Sequence, residues 1–300
     1  MTAVAEAPQG ASRVRTFLRL VMIEHSVFAL PFAYIAALTA MWLQNRSVHW
    51  VQLVLITVAM VSARTVAMSA NRILDRRFDA LNPRTAQREL ITGALSVRSA
   101  QVGTAIATVI FLSSAAALSW LCLALAPIAV FLLVLYSYGK RFTDFPQVLL
   151  AIAQFVAPVG AWIAVRGHAS APSVALGIAV GTWIGGFDLI YSCQDAVIDR
   201  EIGSRSFPAR FGIPAALRAS SVVHLATFAA FVWFGASAHL HWLWWTGIGL
   251  TGAVLVYEHT IVKADDLSRV NRAFFTANGV IGIGLFAFAL ADLLSHGLGA

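Results

Sequence analysis

The chain has 300 residues, of which 59% are hydrophobic and only 12% are charged. Because a soluble domain has about 25% charged residues, this composition excludes an ordinary soluble protein and indicates an integral membrane protein. The formal net charge of +7 could suggest nucleic-acid binding, but the basic residues are scattered between apolar segments. A bias of lysine and arginine toward cytoplasmic loops explains them better, so we expect a lipid bilayer and no nucleic acid as a partner.

The chain begins with a polar segment and continues as a series of apolar ones. Residues 1–16 are small, polar and basic, which predicts a disordered cytoplasmic tail. The rest, 17–300, is predicted to be a single all-α membrane domain. A helix needs about 17 to 25 apolar residues to cross a bilayer. Nine stretches have this character: 17–43, 49–74, 99–119, 121–138, 148–166, 172–194, 214–238, 241–261 and 271–295.

The basic residues predict how these nine spans are oriented. With the N-terminus in the cytoplasm, most of the 21 basic residues fall in cytoplasmic segments. Arg46 and Arg166 fall outside, and Arg64 and Arg72 lie within a span. The positive-inside rule therefore favours nine helices with a cytoplasmic N-terminus and an outside C-terminus. It also supports the division between the third and fourth spans, where residues 118–122 (Leu-Ser-Trp-Leu-Cys) give only a weak signal that a helix ends.

Two groups of polar side chains are spaced so that each lies along one face of a helix. In the first group, positions i, i+4 and i+8 are Asn71, Asp75 and Asp79. In the second, positions i, i+3, i+7 and i+11 are Asp188, Tyr191, Asp195 and Asp199. Both spacings follow the helical period, and both groups lie at predicted cytoplasmic ends of apolar helices. Charged residues beside membrane helices are usually functional, so these two stripes form the candidate site.

Carboxylates that face one another repel unless a cation lies between them. Magnesium takes oxygen ligands and commonly bridges one or two carboxylates to the phosphates of a substrate. The two stripes therefore predict metal-assisted chemistry on a diphosphate at the membrane surface. Lys140 and Arg72 could neutralise the non-bridging diphosphate oxygens. The alternative for these residues, and for Arg141, is that they only mark the cytoplasmic side.

The motifs NxxxDxxxD at 71–79 and DxxYxxxDxxxD at 188–199, with YxxxKRxTxxPQ at 136–147 between them, resemble the UbiA superfamily of intramembrane aromatic prenyltransferases. The resemblance covers essentially the whole chain. It implies a bundle of nine helices around a central cavity, where Mg²⁺ held by both aspartate motifs binds a polyprenyl diphosphate. The diphosphate leaves, and the allylic cation attacks an electron-rich ring. The first helix departs from the family. Members frequently have a basic residue before a Lys-Pro pair there, whereas residues 22–26 of this chain are Met-Ile-Glu-His-Ser.

The resemblance also implies roles for individual residues. The Mg²⁺ ligands would be Asn71, Asp75, Asp79, Asp188, Asp195 and Asp199. The catalytic residues would be Asp75, Asp195, Lys140 and Tyr191, whose ring would face the reacting carbons. Further contacts to the bound diphosphate would come from Asn71, Arg72, Tyr136 and Arg141.

Short segments near the motifs bear on the aromatic acceptor. Residues 80–85, 186–195 and 206–212 resemble the branch of the family named for 4-hydroxybenzoate polyprenyltransferase. They are most similar to its subgroup in the futalosine route to menaquinone, whose expected acceptor is 1,4-dihydroxy-6-naphthoate. The alternative is 4-hydroxybenzoate, the acceptor of the ubiquinone enzymes. Both are phenolic carboxylates, so both require a cationic or hydrogen-bonding anchor. We expect a bacterial inner or plasma membrane, and the distribution of basic residues places both acidic motifs, and so the opening of the active site, on its cytoplasmic side.

Three polar pairs remain outside this scheme. Glu24–His25 and Glu258–His259 could contact the phenol of the acceptor or tune its protonation, since histidine titrates near neutral pH. The alternative for these pairs is a buried hydrogen bond between helices. His239 and His241 could bind a metal, but the tryptophans beside them favour an interfacial aromatic belt.

Two other functions compete with this interpretation. A cation-coupled transporter also places carboxylates near broken helices, usually at mid-membrane and within inverted repeats. Here both acidic helices run in the same topological sense and carry their aspartates at the predicted helix ends. This arrangement favours two half-sites that close on one metal–diphosphate. A related transferase that makes haem, tocopherol or archaeal-type lipids is the other alternative, against which the segments near the motifs argue by resemblance.

Overall fold

The computed structural model describes residues 13–21, 26–273 and 279–299. Over these residues the chain is almost wholly α-helical and contains no β-strand. The helices are α1 (Arg13–Leu20), α2 (Ser26–Asn45), α3 (Trp50–Leu74), α4 (Arg76–Leu81), α5 (Val97–Leu118), α6 (Trp120–Tyr138), α7 (Pro146–Arg166), α8 (Ala171–Ser192), α9 (Ala196–Glu201), α10 (Phe207–Phe211), α11 (Ile213–Ser237), α12 (Trp242–Ile261), α13 (Val270–Arg272) and α14 (Leu285–Ser295). Short 3₁₀ turns follow α6 and α8, at Gly139–Arg141 and Cys193–Asp195, and a π-helical turn at Val280–Gly284 precedes α14.

Six helical segments of the described chain are long and apolar enough to cross a membrane. They are Trp50–Leu74, Val97–Leu118, Trp120–Arg141, Pro146–Arg166, Ala171–Glu201 and Ile213–Ser237. These six confirm an all-α membrane protein and coincide with the second to seventh predicted spans. The other three predicted spans overlap α2, α12 and α14, which are not among the six, so the count of nine stays a prediction.

The beginning of the chain is organised differently from the predicted first span, 17–43. A separate helix, α1, starts at Arg13, and α2 begins only at Ser26. Residues 13–16, which the sequence assigns to the tail, are therefore helical, while residues 1–12 lie outside the described part. Leu20 and Val21 are buried against Leu90 and Leu95 of the connection between α4 and α5. This contact fixes the end of α1 to the rest of the bundle.

The division between the third and fourth predicted spans is confirmed. α5 ends at Leu118 and α6 begins at Trp120, with Ser119 extended between them at a φ of −168°. The hydroxyl oxygen of Ser119 accepts a hydrogen bond from the backbone N–H of Cys122 (3.1 Å). A serine at this position satisfies one of the donors that the first turn of a helix leaves unpaired. A single residue is therefore enough to end one helix and begin the next.

Helix α8 packs closely between α7 and α11. Its glycines allow the close approach of α7, because a Cβ at Gly181 would lie 2.5 Å from the carbonyl oxygen of Ala151. A Cβ at Gly185 would lie 3.2 Å from the carbonyl oxygen of Gln147. Small residues promote such close packing between membrane helices. The contact holds the end of α8, which carries the second acidic motif, against the start of α7.

The apolar side chains divide into a buried core and an exposed outer surface. The largest buried side chains are Trp162, Trp183, Trp244, Phe231 and Phe234. Large apolar side chains on α3, α5 and α6 are instead exposed, among them Val54, Val109, Ile128 and Phe131. Apolar surface of this extent is unusual in a soluble protein, and it fits contact with lipid.

Candidate active site

A cavity of about 770 Å³ lies between α3, α5, α6, α7 and α8. One end is polar and contains all six predicted metal ligands together with Arg72, Tyr136, Lys140 and Tyr191. The remaining walls are mainly apolar and include Ile56, Met60, Phe111, Leu125, Leu133 and Phe155. Both predicted stripes therefore face one cavity. Of the predicted site residues, Arg141 alone is absent from the lining that the described chain provides.

Each acidic stripe bends at its middle aspartate, whereas the sequence predicts one continuous helix. Asp75 separates α3 from α4, and Asp195 ends the 3₁₀ turn that precedes α9. The backbone angles are similar, with φ −82° and ψ 1° for Asp75 and φ −99° and ψ 0° for Asp195. Active-site residues often occupy this sparsely populated region. The two motifs thus present their central carboxylates through the same local bend.

Asp75 has 1% of its surface exposed, and three side chains hold its carboxylate. Nζ of Lys140 lies 2.8 Å from Oδ2, and Nη1 of Arg141 lies 3.2 Å from Oδ1. Nδ2 of Asn71 donates a hydrogen bond to Oδ2 at 2.9 Å. A buried charge needs such partners to offset the loss of its hydration. Lys140, at the end of α6, is thereby brought into the cavity beside the first motif.

Arg141, for which the resemblance implies a diphosphate contact, binds groups at the ends of α3 and α6. Besides Asp75, its guanidinium donates to the carbonyl oxygens of Leu74 (2.6 Å) and Ser137 (2.9 Å). These bonds join the end of α3 to the end of α6. These contacts place the Arg141 guanidinium against the Asp75 carboxylate, outside the lining that the described residues give the cavity.

The connection between α4 and α5, which we call the 82–96 loop, contacts both acidic motifs. Nη1 of Arg88 lies 2.6 Å from Oδ2 of Asp79, which is also buried. The hydroxyl of Thr85 donates to the backbone carbonyl oxygen of Asp79 at 2.9 Å. These contacts fold the loop back over the polar end of the cavity.

Arg84 of the same loop binds Asp195 through two nitrogens. Nη2 lies 2.5 Å from Oδ2, and Nε donates to Oδ1 at 2.9 Å. Nδ2 of Asn82 donates to the same Oδ1 at 3.0 Å. Burial alone lowers the pKa of Arg84, but the Asp195 carboxylate outweighs this effect, and the pKa is raised. Arg84 also donates to the hydroxyl of Tyr191 (3.3 Å), so one guanidinium joins two residues of the second motif.

Asp188 and Asp199 line the cavity, and neither forms a salt bridge with any residue that the structure describes. Lys140 acts electrostatically on both of them and on Asp195. Since it also pairs with Asp75 of the first motif, Lys140 is a cation shared by the two motifs. It is therefore well placed to act on a ligand bound between them.

Arg72 lines the cavity, as the sequence predicts, but it also contacts a distant part of the chain. Its Nε donates to the backbone carbonyl oxygen of Leu20 at 3.4 Å, and the side chain is buried. The contact connects the end of α1 to the helix that carries the first motif. Any role of Arg72 toward the diphosphate is thus combined with a structural one.

A model of the UbiA prenyltransferase family matches residues 31–280. The chain belongs to the UbiA prenyltransferase family. This UbiA-family protein is 32% identical to a 4-hydroxybenzoate octaprenyltransferase of Xanthomonas campestris over 231 residues, which are 77% of this chain and 76% of the relative. It is 26% identical to a 4-hydroxybenzoate octaprenyltransferase of Chromohalobacter salexigens over 284 residues, or 94% of each chain. Membership confirms the resemblance read from the motifs and makes the protein a prenyltransferase.

Solved structures of UbiA homologues share the fold of this UbiA-family protein. The apo structure of a UbiA homologue from Aeropyrum pernix K1 is 33% identical and has a TM-score of 0.82, covering 90% of this chain and 98% of its own. A UbiA homologue from Archaeoglobus fulgidus bound to DMAPP and Mg²⁺ is 19% identical and has a TM-score of 0.70, covering 93% and 99%. The predicted UbiA fold is therefore confirmed.

The structure of the UbiA-family protein contradicts the hypothesis that Glu258–His259 contacts the acceptor. Neither residue lines the cavity that contains the aspartates. Nε2 of His259 lies 2.9 Å from Nδ1 of His224, and Nδ1 of His259 lies 3.2 Å from the hydroxyl of Ser221. These contacts join α11 to α12, which is the buried inter-helix bond considered as the alternative. The pair Glu24–His25 lies outside the described residues.

Three arginines of the site of the UbiA-family protein escape the motif analysis. Arg84 and Arg88 count in the sequence only as cytoplasmic charges, since no motif spacing marks them. Arg64 carries a weak signal, because a residue seven positions before Asn71 shares its helix face, about 10 Å further along α3. Arg64 lines the cavity away from the aspartates, and its buried Nε has no hydrogen-bond partner among the described residues.

Proposed function

We propose that this UbiA-family protein transfers a polyprenyl group from polyprenyl diphosphate to an aromatic hydroxy-carboxylate, with Mg²⁺ as its cofactor. The observation that carries this proposal is the cavity, where oxygen ligands from both motifs gather at one end and apolar walls continue beyond them. A diphosphate requires the first environment, and an isoprenoid chain requires the second. The homologue bound to DMAPP and Mg²⁺ and the relatives named as 4-hydroxybenzoate octaprenyltransferases support the same function.

The residues at the polar end of the cavity fit a magnesium ion. Mg²⁺ takes oxygen ligands and is bound through carboxylates together with substrate phosphates. Asn71 donates from Nδ2 to Asp75, which leaves its amide oxygen available as a ligand. When bound, Mg²⁺ supplies charge stabilisation to the departing diphosphate. We assign its ligands to the first motif, Asn71, Asp75 and Asp79, and to the second, Asp188, Asp195 and Asp199.

Basic side chains of the cavity supply the remaining positive charge. Arg84, Arg88 and Lys140 line the cavity, and each is paired with an aspartate of a motif. A carboxylate that ligates a metal no longer depends on its cationic partner. The guanidinium and ammonium groups are then available to donate charge-assisted hydrogen bonds to the diphosphate oxygens. The same side chains would therefore pair with the aspartates before the metal and diphosphate bind, and with the diphosphate afterwards.

Aromatic and apolar side chains suit the reactive end of the prenyl group. Tyr191 lines the cavity beside the second motif, with its ring centre 6.1 Å from that of Phe187. The faces of aromatic rings stabilise a nearby cation, and the effect is stronger where water is excluded. The apolar walls keep water from the allylic cation, which water would otherwise consume.

The carboxylate of the acceptor needs a basic partner, and we assign that role to Arg64. It lies in the apolar part of the cavity, about 10 Å from the Asn71 end of α3, and its Nε has no partner in the described chain. An arginine binds a carboxylate through two parallel hydrogen bonds. An acceptor anchored there would place its ring between Arg64 and the metal–diphosphate site.

The identity of the acceptor rests on two different observations. The names of the relatives favour 4-hydroxybenzoate, and we propose it as the acceptor. The segments 80–85, 186–195 and 206–212 favour 1,4-dihydroxy-6-naphthoate by resemblance alone, and the comparisons give this menaquinone precursor no support. Both molecules carry the phenol and the carboxylate that the cavity would accommodate.

We also propose the nine-span topology, with residues 1–16 as a cytoplasmic tail and 17–300 as one domain. The basic 82–96 loop and Lys140 lie at the acidic end of the cavity, and the backbone N–H of Arg205 donates to the carbonyl oxygen of Lys140. Three basic connections are therefore gathered at this end. By the positive-inside rule it faces the cytoplasm, so the active site would open to the cytoplasmic side of a bacterial inner or plasma membrane.

The proposed function is tested by label transfer from radiolabelled geranyl diphosphate in isolated membranes, with and without Mg²⁺. 4-Hydroxybenzoate and 1,4-dihydroxy-6-naphthoate are offered in parallel. We expect Mg²⁺-dependent label in the benzoate product. Label in the naphthoate product alone would replace the acceptor but keep the reaction. No product from either acceptor, with longer prenyl diphosphates failing as well, would contradict the proposed acceptor class.

A further inference from the structure

A second group of potential metal ligands lies away from the aspartate motifs. It consists of His241, Asp292 and His296, each of which offers one ligand atom within 4.8 Å of the others. The indole of Trp42, near the end of α2, donates to the backbone carbonyl oxygen of His296 (3.0 Å). The group therefore lies near the start of α3, whereas Asp75 follows the other end of this 25-residue helix, about 37 Å away.

Asp292 is fully buried and oriented by backbone donors. Its Oδ2 accepts a hydrogen bond from the N–H of His241 (2.9 Å), and its Oδ1 accepts from those of Leu243 (3.2 Å) and Trp244 (3.4 Å). The carboxylate of α14 thus caps the first turn of α12. Each carboxylate oxygen has more than one acceptor position, so these bonds leave capacity for a metal. They also direct Oδ2 toward the ring of His241, whose Nδ1 lies 3.6 Å away.

The two histidines already have the features of metal ligands. Nδ1 of His296 donates to the backbone carbonyl oxygen of Asp292 (2.8 Å), which places the lone pair on Nε2. Metal-binding histidines usually make such a bond through their other nitrogen. Nδ1 of His241 is buried and has no hydrogen-bond partner among the described residues. The rings are stacked with centres 3.5 Å apart and must tilt to share an ion, for which the 41% exposed side chain of His241 has room.

We propose that His241, Asp292 and His296 bind a divalent transition-metal ion, with Zn²⁺ as the first candidate. Two imidazoles and one carboxylate form a ligand set that Zn²⁺ accepts, whereas Mg²⁺ prefers oxygen ligands alone. A bound ion would tie the connection between α11 and α12 to the end of α14. His239, the other histidine of the HxH sequence, is exposed and outside the group. The tryptophan belt and the metal site are therefore separate features of one segment.

The site is tested on the full-length protein in detergent, stripped with a chelator and titrated with Zn²⁺ in excess Mg²⁺, which competes for the oxygen ligands of the aspartate motifs. Calorimetry gives the affinity and stoichiometry, and the thermal midpoint reports the stabilisation. The variants are His241→Gln and His296→Gln. The matched control is His239→Asn, because His239 has a φ of 54°, a conformation that asparagine tolerates.

We expect one Zn²⁺ per chain and a raised thermal midpoint in the wild type and in the His239→Asn control. In both test variants the affinity should fall by about 10-fold or more, while the midpoint in chelator shows whether each variant is folded. Co²⁺ provides a measurement independent of the variants, because the tetrahedral coordination expected of a zinc site intensifies its visible absorption above that of the octahedral aqueous ion. Equal Zn²⁺ affinity in a folded test variant, or a wild-type Co²⁺ spectrum like that of the aqueous ion, would overturn the proposal.

Discussion

The two acidic motifs share a backbone bend at their central aspartates, but different parts of the chain hold their carboxylates. Asp75 is enclosed by the end of α6, through Lys140 and Arg141. Asp195 is more exposed and depends on Arg84 of the 82–96 loop. Asp75 is thus held by residues at the end of the helix bundle, whereas Asp195 is held by the 82–96 loop, which also pairs with Asp79 through Arg88. We infer a preformed half-site at Asp75 and a more readily exchanged one at Asp195, around one ligand.

The difference between the two motifs is tested most directly by removing their central aspartates one at a time. Asp75→Ala and Asp195→Ala should each lower Mg²⁺-dependent prenyl transfer by about 100-fold or more, because each removes a metal ligand. Their stabilities should differ. Asp75→Ala leaves two partly buried cations unpaired and should destabilise the protein by about 3 kcal/mol. Asp195→Ala releases a more exposed arginine and should change stability by about 1 kcal/mol or less.

These variants are compared with Asp265→Ala, which removes an exposed aspartate outside both motifs. Transfer rates and thermal midpoints in detergent are measured on the same preparations. Full activity in either motif variant would contradict the assignment of metal ligands. Equal destabilisation by the two would contradict the distinction between a preformed and an exchangeable half-site.

A second pair of variants compares the cations rather than the carboxylates. Lys140→Met should lower kcat by about 100-fold and Arg84→Gln should raise the KM for prenyl diphosphate by about 10-fold, since a hydrogen bond to a charged group contributes about 1.5–3 kcal/mol. The larger effect is expected for Lys140 because it acts on both motifs. Steady-state kinetics at saturating acceptor measure both parameters. If Arg84→Gln lowered kcat/KM for prenyl diphosphate more than Lys140→Met does, the roles assigned to the two cations would be reversed.

A variant of Arg64 tests the binding of the aromatic acceptor, whereas the variants of Lys140 and Arg84 test the site of the prenyl diphosphate. Arg64→Gln should raise the KM for the aromatic acceptor by about 10-fold through loss of a charge-assisted hydrogen bond. The KM for prenyl diphosphate should stay unchanged, in contrast to Arg84→Gln. Arg166→Gln, at the other end of the bundle, is the matched control. An unchanged acceptor KM in Arg64→Gln would remove Arg64 from the binding site.

The smallest kinetic effect is expected outside the cavity. His259→Gln should leave the acceptor KM unchanged, because His259 bonds to His224 and Ser221 between α11 and α12. It should lower stability by about 1–2 kcal/mol, because two hydrogen bonds of about 1 kcal/mol each are at stake. Kinetics and a thermal melt on the same sample separate the two effects. A raised acceptor KM without a change in stability would restore the catalytic hypothesis for this residue.

Helical period predicts both acidic stripes, and the resemblance to the UbiA superfamily predicts the cavity that they share. Composition acts within one segment, so it also locates the six helices that are long and apolar enough to cross a membrane. The bends at Asp75 and Asp195 are not predictable in this way, because an interruption of one to three residues hardly changes the spacing. The roles of Arg84 and Arg88 depend on how the 82–96 loop folds back across the cavity. Loop paths are set by tertiary contacts, which periodicity does not report.

The proposed metal site of His241, Asp292 and His296 was likewise not predictable from the sequence. The HxH sequence and its tryptophans predict an aromatic belt, since nothing nearby in sequence completes a metal site. Asp292 and His296 lie about fifty residues further along and reach His241 only through the packing of α12 against α14. Residues that meet in this way are visible only in the folded bundle.

The central claim is that the two aspartate motifs hold one metal–diphosphate, and a double-variant comparison tests it most directly. Prenyl-transfer rates are measured for Asp75→Asn, Asp195→Asn and the double variant, with asparagine chosen to keep the side-chain shape. Residues that act as one unit show strongly non-additive losses. A single site predicts that the double variant is about as slow as the slower single variant. Losses that multiply in the double variant would show two independent sites and contradict the claim.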